Sequence, residues 1–389
     1  MHTQKNYHLR IAGFYFFYYA FIGMFAPYWS LYLKSIYFSA VEIAILMSVQ
    51  PVMRMIAPNI WGWLADRTSK RLLVIQIAAA LSALFYLGVF ATSGFWGLLL
   101  VLGLMSFFWS ASIPLVEATT LTYLGKHSAR YGRIRSWGSV GFIVAVVGVG
   151  FAFDYIAIDW LLWAGLFIMS GILFFSRLIP HTEVVAHHTD HHPIRKILLQ
   201  PRVLALFGAC FLMSVAHGPY YTFFSIYLVE HGYAKSAVGG LWALGVICEI
   251  GVFFLMPWLA QRYGLPRILL VSFACAVLRF LLIGWGVDFL GLLLIAQMLH
   301  AVTFGAYHAA SVGLVHEFFQ GRHQSKGQAL FGSLSYGAGG MLGGLASGPI
   351  WQHYGASVLY SCSAGMALLG MLVMWWKLRD MAESRADVA

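Results

Sequence analysis

The sequence predicts an all-α membrane protein with twelve transmembrane helices in two pseudo-symmetric six-helix bundles. Three observations carry that reading: an apolar composition, basic residues that alternate along the chain, and an internal repeat. Of 389 residues, 60% are hydrophobic and only 10% are charged, against about 25% charged in a soluble domain. A chain this poor in charge has no polar surface with which to cover a water-soluble globule.

The elements follow from the apolar runs. A helix that crosses the hydrocarbon needs about 20 apolar residues. Twelve such runs can be marked off: 9–33, 41–64, 72–92, 96–122, 136–156, 160–180, 203–230, 236–259, 267–287, 289–318, 327–350 and 356–377. Glycine or proline interrupts several of them, as is common in transporter helices. The first run is too long for a signal-peptide core and lacks a small-residue cleavage site, so it is expected to remain as the first helix.

Orientation follows from lysine and arginine. Of 24 such residues, all but four lie at the termini or in every second loop, among them Arg67, Lys70 and Arg71, then Lys126, Arg130, Arg133 and Arg135. The opposite loops hold Lys34 and Lys235 beside Asp154, Asp159, Glu230 and Asp288. The positive-inside rule therefore places both termini in the cytoplasm. The net charge of +10 is accounted for by topology, and no nucleic-acid partner is expected. Cys210, Cys248, Cys275 and Cys362 all fall within predicted helices, so no disulfide framework is expected.

The repeat has an offset of 195 residues. "SLYL" at 30–33 recurs as "SIYL" at 225–228, "WLADR" at 63–67 as "WLAQR" at 258–262, and Gly132 before "SWGS" as Gly327 before "LFGS". The expected organisation is a bundle over 1–182, a cytoplasmic linker over 183–202 and a second bundle over 203–389. Two such halves in the same orientation can rock about a midplane site.

Four ionisable residues interrupt the apolar runs at one depth. Arg54, His217, Glu249 and Arg279 each lie about 13 residues into their helices, near the bilayer centre at 1.5 Å per residue. His300 and His308 bracket the same depth and, eight residues apart, share a helix face. Burial raises a carboxyl's pKa and a nearby cation lowers it, so Glu249 is the candidate proton carrier. His300 and His308 can relay protons. Arg279 is read either as the counter-ion of Glu249 or as a fork for a substrate carboxylate; the plain alternative is a permanent ion pair joining helices eight and nine. Arg54 either holds an anionic substrate by paired hydrogen bonds or pairs with a carboxylate such as Glu117, itself a candidate substrate-site or gating group. Tyr18, Tyr19, Tyr220, Tyr221 and Trp109 could stack on a ring-bearing substrate, and His217, beside "GPYY" at 218–221, is a further substrate-site candidate. Asp66 could meet the N-terminal dipole of a neighbouring helix, with Arg67 and Arg71 bridging to others and with Arg133 and Arg262 as further gating residues. Gly340, Gly344 and Gly348 form a small-residue ridge suited to close helix approach. The histidine-bearing stretch around His181, His187, His188, His191 and His192 lacks cysteine and fixed geometry, and no metal site is expected there.

"GWLADRTSKR" at 62–71 resembles the Gly-x-x-x-Asp-Arg-x-x-Arg-Arg loop of the major facilitator superfamily, with Lys70 in place of a common arginine and Ser69 in place of a common glycine. "FAPYWSLYLK", "YGRIRSWGSVGF", "LWALGVICEI", "VLRF" and "QMLHAVTFGAYHAA" together resemble the phenylpropionate permease family, grouped with proton-coupled sugar and nucleoside permeases. The resemblance runs through nearly the whole chain. It implies the major facilitator fold, first helices of each triplet that line a cavity, and a monomeric proton symporter for a small organic solute. Its energy source would be the proton gradient, with no cofactor and no metal.

Three classes of function remain. The first is proton-coupled import of an aromatic or other organic acid, with a nucleoside or sugar as the alternative solute. The second is proton-driven export of drugs or metabolites. Exporters of the superfamily usually carry a Gly-Pro signature in helix five, and "GSVGFIVAVVGVGFAFD" at 138–154 has no proline. The third is a membrane enzyme or a scaffold. An enzyme is not expected, because no metal-ligand cluster, nucleophile elbow or phosphate loop is present.

Overall fold

The structure, a computed structural model, describes residues 2–181 and 194–386. The greater part of the linker expected over 183–202, with His187, His188, His191 and His192, lies outside the described residues. Among those described the chain is helical and contains no strand. A helix satisfies its own backbone groups, which an apolar solvent demands.

The chain separates into two compact units, residues 1–188 with 232–243, and residues 189–231 with 244–389. The first contains α1 (His2–Ser35), α2 (Ala40–Thr68), α3 (Arg71–Tyr86), α4 (Phe95–Leu124), α5 (Tyr131–Ala152) and α6 (Trp160–Leu178). Here α1 packs on α5 and α6, while α4 packs on α2 and α3. After a short α7 (Arg195–Leu198) come α8 (Pro201–Glu230), α9 (Lys235–Tyr263), α10 (Leu265–Trp285), α11 (Leu290–His300), α12 (Tyr307–Phe318), α13 (Gln324–Phe331) and α14 (Gly340–Ala386). In the second unit α14 packs on α8 and α10, and α10 also touches α11 and α12.

Eleven helices among the described residues are long and apolar enough to cross a membrane. The difference from twelve lies at the C-terminal end. The expected break between 327–350 and 356–377 is a single kink, where Gly355 takes φ 79°. Only glycine adopts that left-handed conformation at little cost, so one residue does the work of a loop. A second difference lies in the expected helix 289–318, where a π-helical turn, Ala301–Ala306, separates α11 from α12. Another π-helical stretch, Gly332–Gly339, precedes α14.

Local signals place the ends of α2. Ser39 accepts a hydrogen bond from the Glu42 amide at 3.3 Å, and the Glu42 carboxylate accepts one from the Ser39 amide at 2.9 Å. This reciprocal pair is a capping box. At the other end Ser69 holds φ 53°, at the position where the loop motif more often has glycine.

The repeat is visible in how helices cross. A Cβ added at Gly23 on α1 would strike the Phe142 backbone on α5; one added at Gly218 on α8 would strike the Gly343 and Gly344 backbone on α14. These glycines lie 195 residues apart, the offset of the repeat, so each half seats one bare turn against a neighbour's backbone. Gly344 belongs to the predicted small-residue ridge, and Gly339 and Gly343 beside it also seat against α8. The four cysteines are free.

The start of α9 is fastened inside the first unit. Asp154, in the loop after α5, accepts hydrogen bonds from the Lys235 amide at 2.8 Å and the Ser236 amide at 3.3 Å. Lys235 Nζ donates to the Phe153 carbonyl at 3.1 Å, and Tyr28 Oη donates to the Val146 carbonyl at 2.6 Å. Asp154 therefore caps the exposed amides of a helix N-terminus. The hydrogen bond with Ser236 holds its carboxyl below the usual carboxylate range. A depressed pKa contributes stability above the unfolded-state value and loses it as pH falls through the folded-state value. Asp154→Ala should therefore lower thermal stability at neutral pH, by roughly 0.5–1 kcal/mol for a cap this exposed. Its difference from wild type should vanish as pH drops below the carboxylate range, as melting curves across pH would record.

Candidate functional site

In the second unit, α9 and α11 bring Glu249 and His300 together. Glu249 Oε2 stands 3.9 Å from His300 Nε2, with side chains only 16% and 8% exposed. Glycine provides the room. A Cβ at Gly245, one turn before Glu249 on α9, would lie 3.0 Å from the His300 ring; one at Gly305 in the π-helical turn would lie 2.8 Å from Glu249 Cγ. The imidazole thus rests on the bare turn of α9 that precedes the carboxylate. At 3.9 Å the pair is longer than a hydrogen bond and is an ion pair only when the imidazole is protonated.

The π-helical turn also orders the next groups. The His300 ring stacks on Phe304 at 5.3 Å and 10°, and Phe304 on His308 at 6.4 Å and 11°. Its wider winding lets rings four residues apart lie almost parallel, and such turns are frequent at functional sites. His308 Nδ1 meets Tyr336 Oη at 2.8 Å. Both predicted histidines therefore lie on one ladder, with Glu249 beside its first ring.

Arg279 is elsewhere in this unit. Expected to be the counter-ion of Glu249 or a substrate fork, it is fully buried and donates from Nε to the Ala296 carbonyl at 3.0 Å. Its guanidinium lies over the Tyr220 ring at 4.2 Å. Glu249 meets His300 at 3.9 Å, while Arg279 is held by the α11 backbone and the Tyr220 ring. Tyr220 Oη donates to Gln297 Oε1 at 2.9 Å, and its ring stacks on His300 at 5.8 Å. His217 is buried, its Nδ1 on the Met213 carbonyl at 2.8 Å and its ring edge-on to Phe280 at 5.1 Å. Tyr221, half-buried, lies edge-on to Tyr220 at 5.4 Å.

In the first unit, Arg54 is exposed and its guanidinium stands 5.4 Å from the Trp109 ring centroid. Trp109 stacks on Tyr18 at 4.3 Å and 4°, and both are buried. The two rings expected to stack on a substrate stack on each other, so the group they present is the guanidinium that Trp109 supports. Arg54 does not pair with Glu117. The partner of Glu117 is Arg135, whose Nε lies 3.9 Å from Glu117 Oε1 and whose guanidinium covers the Tyr19 ring at 3.9 Å. Gly138, one turn after Arg135, leaves the space that Tyr19 and Arg135 fill.

The gating candidates lie near the helix ends. Asp66, Arg67, Arg133 and Arg262 are exposed and Arg71 is half-buried. Arg67 lies over Trp63 of its own helix at 5.2 Å. No group of three or more metal-binding side chains occurs among the described residues.

Sequence reasoning missed Arg135, Gln297, Phe304 and Tyr336. Gln297 could have been found three residues before His300, on the same helix face. Arg135 was absorbed into the topology signal beside Arg133. Phe304 and Tyr336 carry no signal distinct from the other aromatics.

Comparison with known proteins places this geometry in a family. The profile of the MFS_1 like family matches residues 8–362. The chain is 29% identical over 365 residues to the probable 3-phenylpropionic acid transporter of Escherichia coli (strain K12), covering 93% of this chain and 94% of that protein. It is 26% identical over 365 residues to the maltose permease of Geobacillus stearothermophilus, covering 93% and 92%. A crystal structure of the nucleoside transporter NupG superimposes with a TM-score of 0.81 over 95% of this chain and 98% of that one, at 17% identity, a likeness of fold. The helical fold, the apolar spans and the profile match over most of the length agree: the chain belongs to the MFS_1 like family and is a multi-pass secondary transporter of the major facilitator superfamily, not an enzyme.

Proposed function

We propose that this protein imports a small aromatic carboxylic acid together with a proton, by alternating access, across a bacterial inner membrane. In this reading it works as a monomer with both termini in the cytoplasm, the orientation the basic residues favour. The observation that carries the reading is the buried contact of Glu249 with His300. A carboxylate at this depth is costly unless it is partnered or protonated. An imidazole is a partner that can itself bind and release a proton. One proton can therefore reside on Glu249, within reach of the His300 charge, while His308 and Tyr336 stand beyond Phe304, a ring with no exchangeable proton, as separate titratable groups. Arg279 adds a fixed positive charge within electrostatic range of His300 and His217, and acts on coupling through that field.

The solute class is supported by Arg54. A guanidinium beside Trp109 on an exposed residue suits a carboxylate that it can grip by two hydrogen bonds. The 3-phenylpropionic acid named for the Escherichia coli relative has one carboxylate and one ring. Tyr221 and His217 supply aromatic surface in the second unit, and the loosely paired Glu117 can respond to an incoming anion. Asp66, Arg67, Arg71, Arg133 and Arg262 act on gating. A second reading, proton symport of a sugar or nucleoside, is supported by the maltose permease relative and by a putative nucleoside transporter of Escherichia coli at 26% identity.

Glu249→Gln should abolish uptake driven by a pH gradient in proteoliposomes yet leave solute counterflow intact; full accumulation by the variant would refute the coupling role. Arg54→Lys should weaken binding of 3-phenylpropionate about tenfold, the equivalent of about 1.4 kcal/mol, and change binding of the neutral alcohol analogue little. An equal fall for both solutes would make Arg54 structural.

A further inference from the structure

Arg279 has hydrogen-bonding capacity that the proton pair does not use. It is 0% exposed, yet Nη1 and Nη2 make no hydrogen bond of good geometry among the described residues. The groups that act on it most strongly are the phenols of Tyr220, Tyr221 and Tyr360, with the Tyr220 hydroxyl also in hydrogen-bonding reach, and none of them is a carboxylate. Two of its neighbours show the same deficit. Gln297 Nε2 and Tyr360 Oη are buried without a partner among the described residues. Gln297 belongs to this group through Tyr220, which hydrogen-bonds to its Oε1 and lies under the guanidinium. His217, within range of the same charge, gives its Nδ1 proton to the Met213 carbonyl, so it offers a further donor at Nε2 only when protonated.

A guanidinium removed from water without a countercharge is strongly disfavoured, and unpaired buried donors add to that cost. The chemistry common to these atoms is N–H and O–H donors around one positive charge, which calls for a negative ligand. We propose that Arg279, Gln297 and Tyr360 hold a small inorganic anion of halide size. Size follows from enclosure: the guanidinium is sealed by the Tyr220 and Phe280 rings and tied to the Ala296 carbonyl, with no exposed edge for a larger acid. The proposal stands whether the transported solute is an acid, a sugar or a nucleoside. It implies that chloride supports the arrangement of α8, α10 and α11 beside the Glu249–His300 contact.

The test uses the purified full chain in sodium gluconate, with chloride and then bromide titrated at constant pH and ionic strength while the thermal midpoint is read. Both halides should raise the midpoint of the wild type saturably. Arg279→Gln should abolish that rise, and Gln297→Leu should weaken the apparent affinity at least tenfold, with circular dichroism and gel filtration confirming folded protein. Should Arg279→Gln fail to fold, Gln297→Leu and Tyr360→Phe decide the matter. A wild type indifferent to halide, or an unchanged response in both of those variants, would overturn the proposal. So would a midpoint that responds only to 3-phenylpropionate and only through Arg279, since the guanidinium would then belong to the solute.

Discussion

An ionisable side chain in hydrocarbon must have a partner, and if it is to do work that partner must be able to change. The Glu249–His300 contact meets both conditions, and the surrounding architecture is organised around it. Each side chain occupies space that glycine leaves on the opposing element, Gly245 beneath the imidazole and Gly305 beside the carboxylate. An alanine methyl at either place would lie within 3.0 Å of the partner side chain. Close packing of helices and burial of a titratable pair are therefore one problem with one solution.

The same economy appears in the helix crossings. In membranes helices associate through close contact of small residues, since lipid is as apolar as the side chains. Gly23 and Gly218 make equivalent contacts in the two units, one repeat length apart. The π-helical turn Ala301–Ala306 departs from regular winding where His300, Phe304 and His308 must present their rings in one direction. The irregularity falls where the three rings stack.

Much of the fold could be read from residues alone, because hydropathy and charge asymmetry are one-dimensional quantities. The spans, the repeat and the depth of Glu249, His300 and His308 all came from counting along the chain. What could not be read was azimuth, the direction a side chain points around its helix. Arg135 and Arg133 are two residues apart and looked alike as basic loop residues, yet Arg135 lies over Tyr19 and meets Glu117 while Arg133 is exposed. Arg279 shares the depth of Glu249 but is held by the Ala296 carbonyl and the Tyr220 ring. Tyr18 and Trp109 were read as surfaces for a ligand because sequence reveals an aromatic ring but not which ring already covers it. The missing loop before 356 has a different cause: a left-handed glycine can break a helix without the polar residues that announce a turn.

The central claim is that protonation of the Glu249–His300 pair is linked to solute binding. Its most direct test is the proton exchanged with the medium when solute binds the purified protein in weakly buffered detergent solution, followed with a pH indicator. The account predicts proton uptake or release that saturates together with binding in the wild type and disappears in Glu249→Gln, a variant that removes the carboxyl on which the proton resides. Binding that proceeds in both proteins with the same proton stoichiometry, or with none in either, would contradict it.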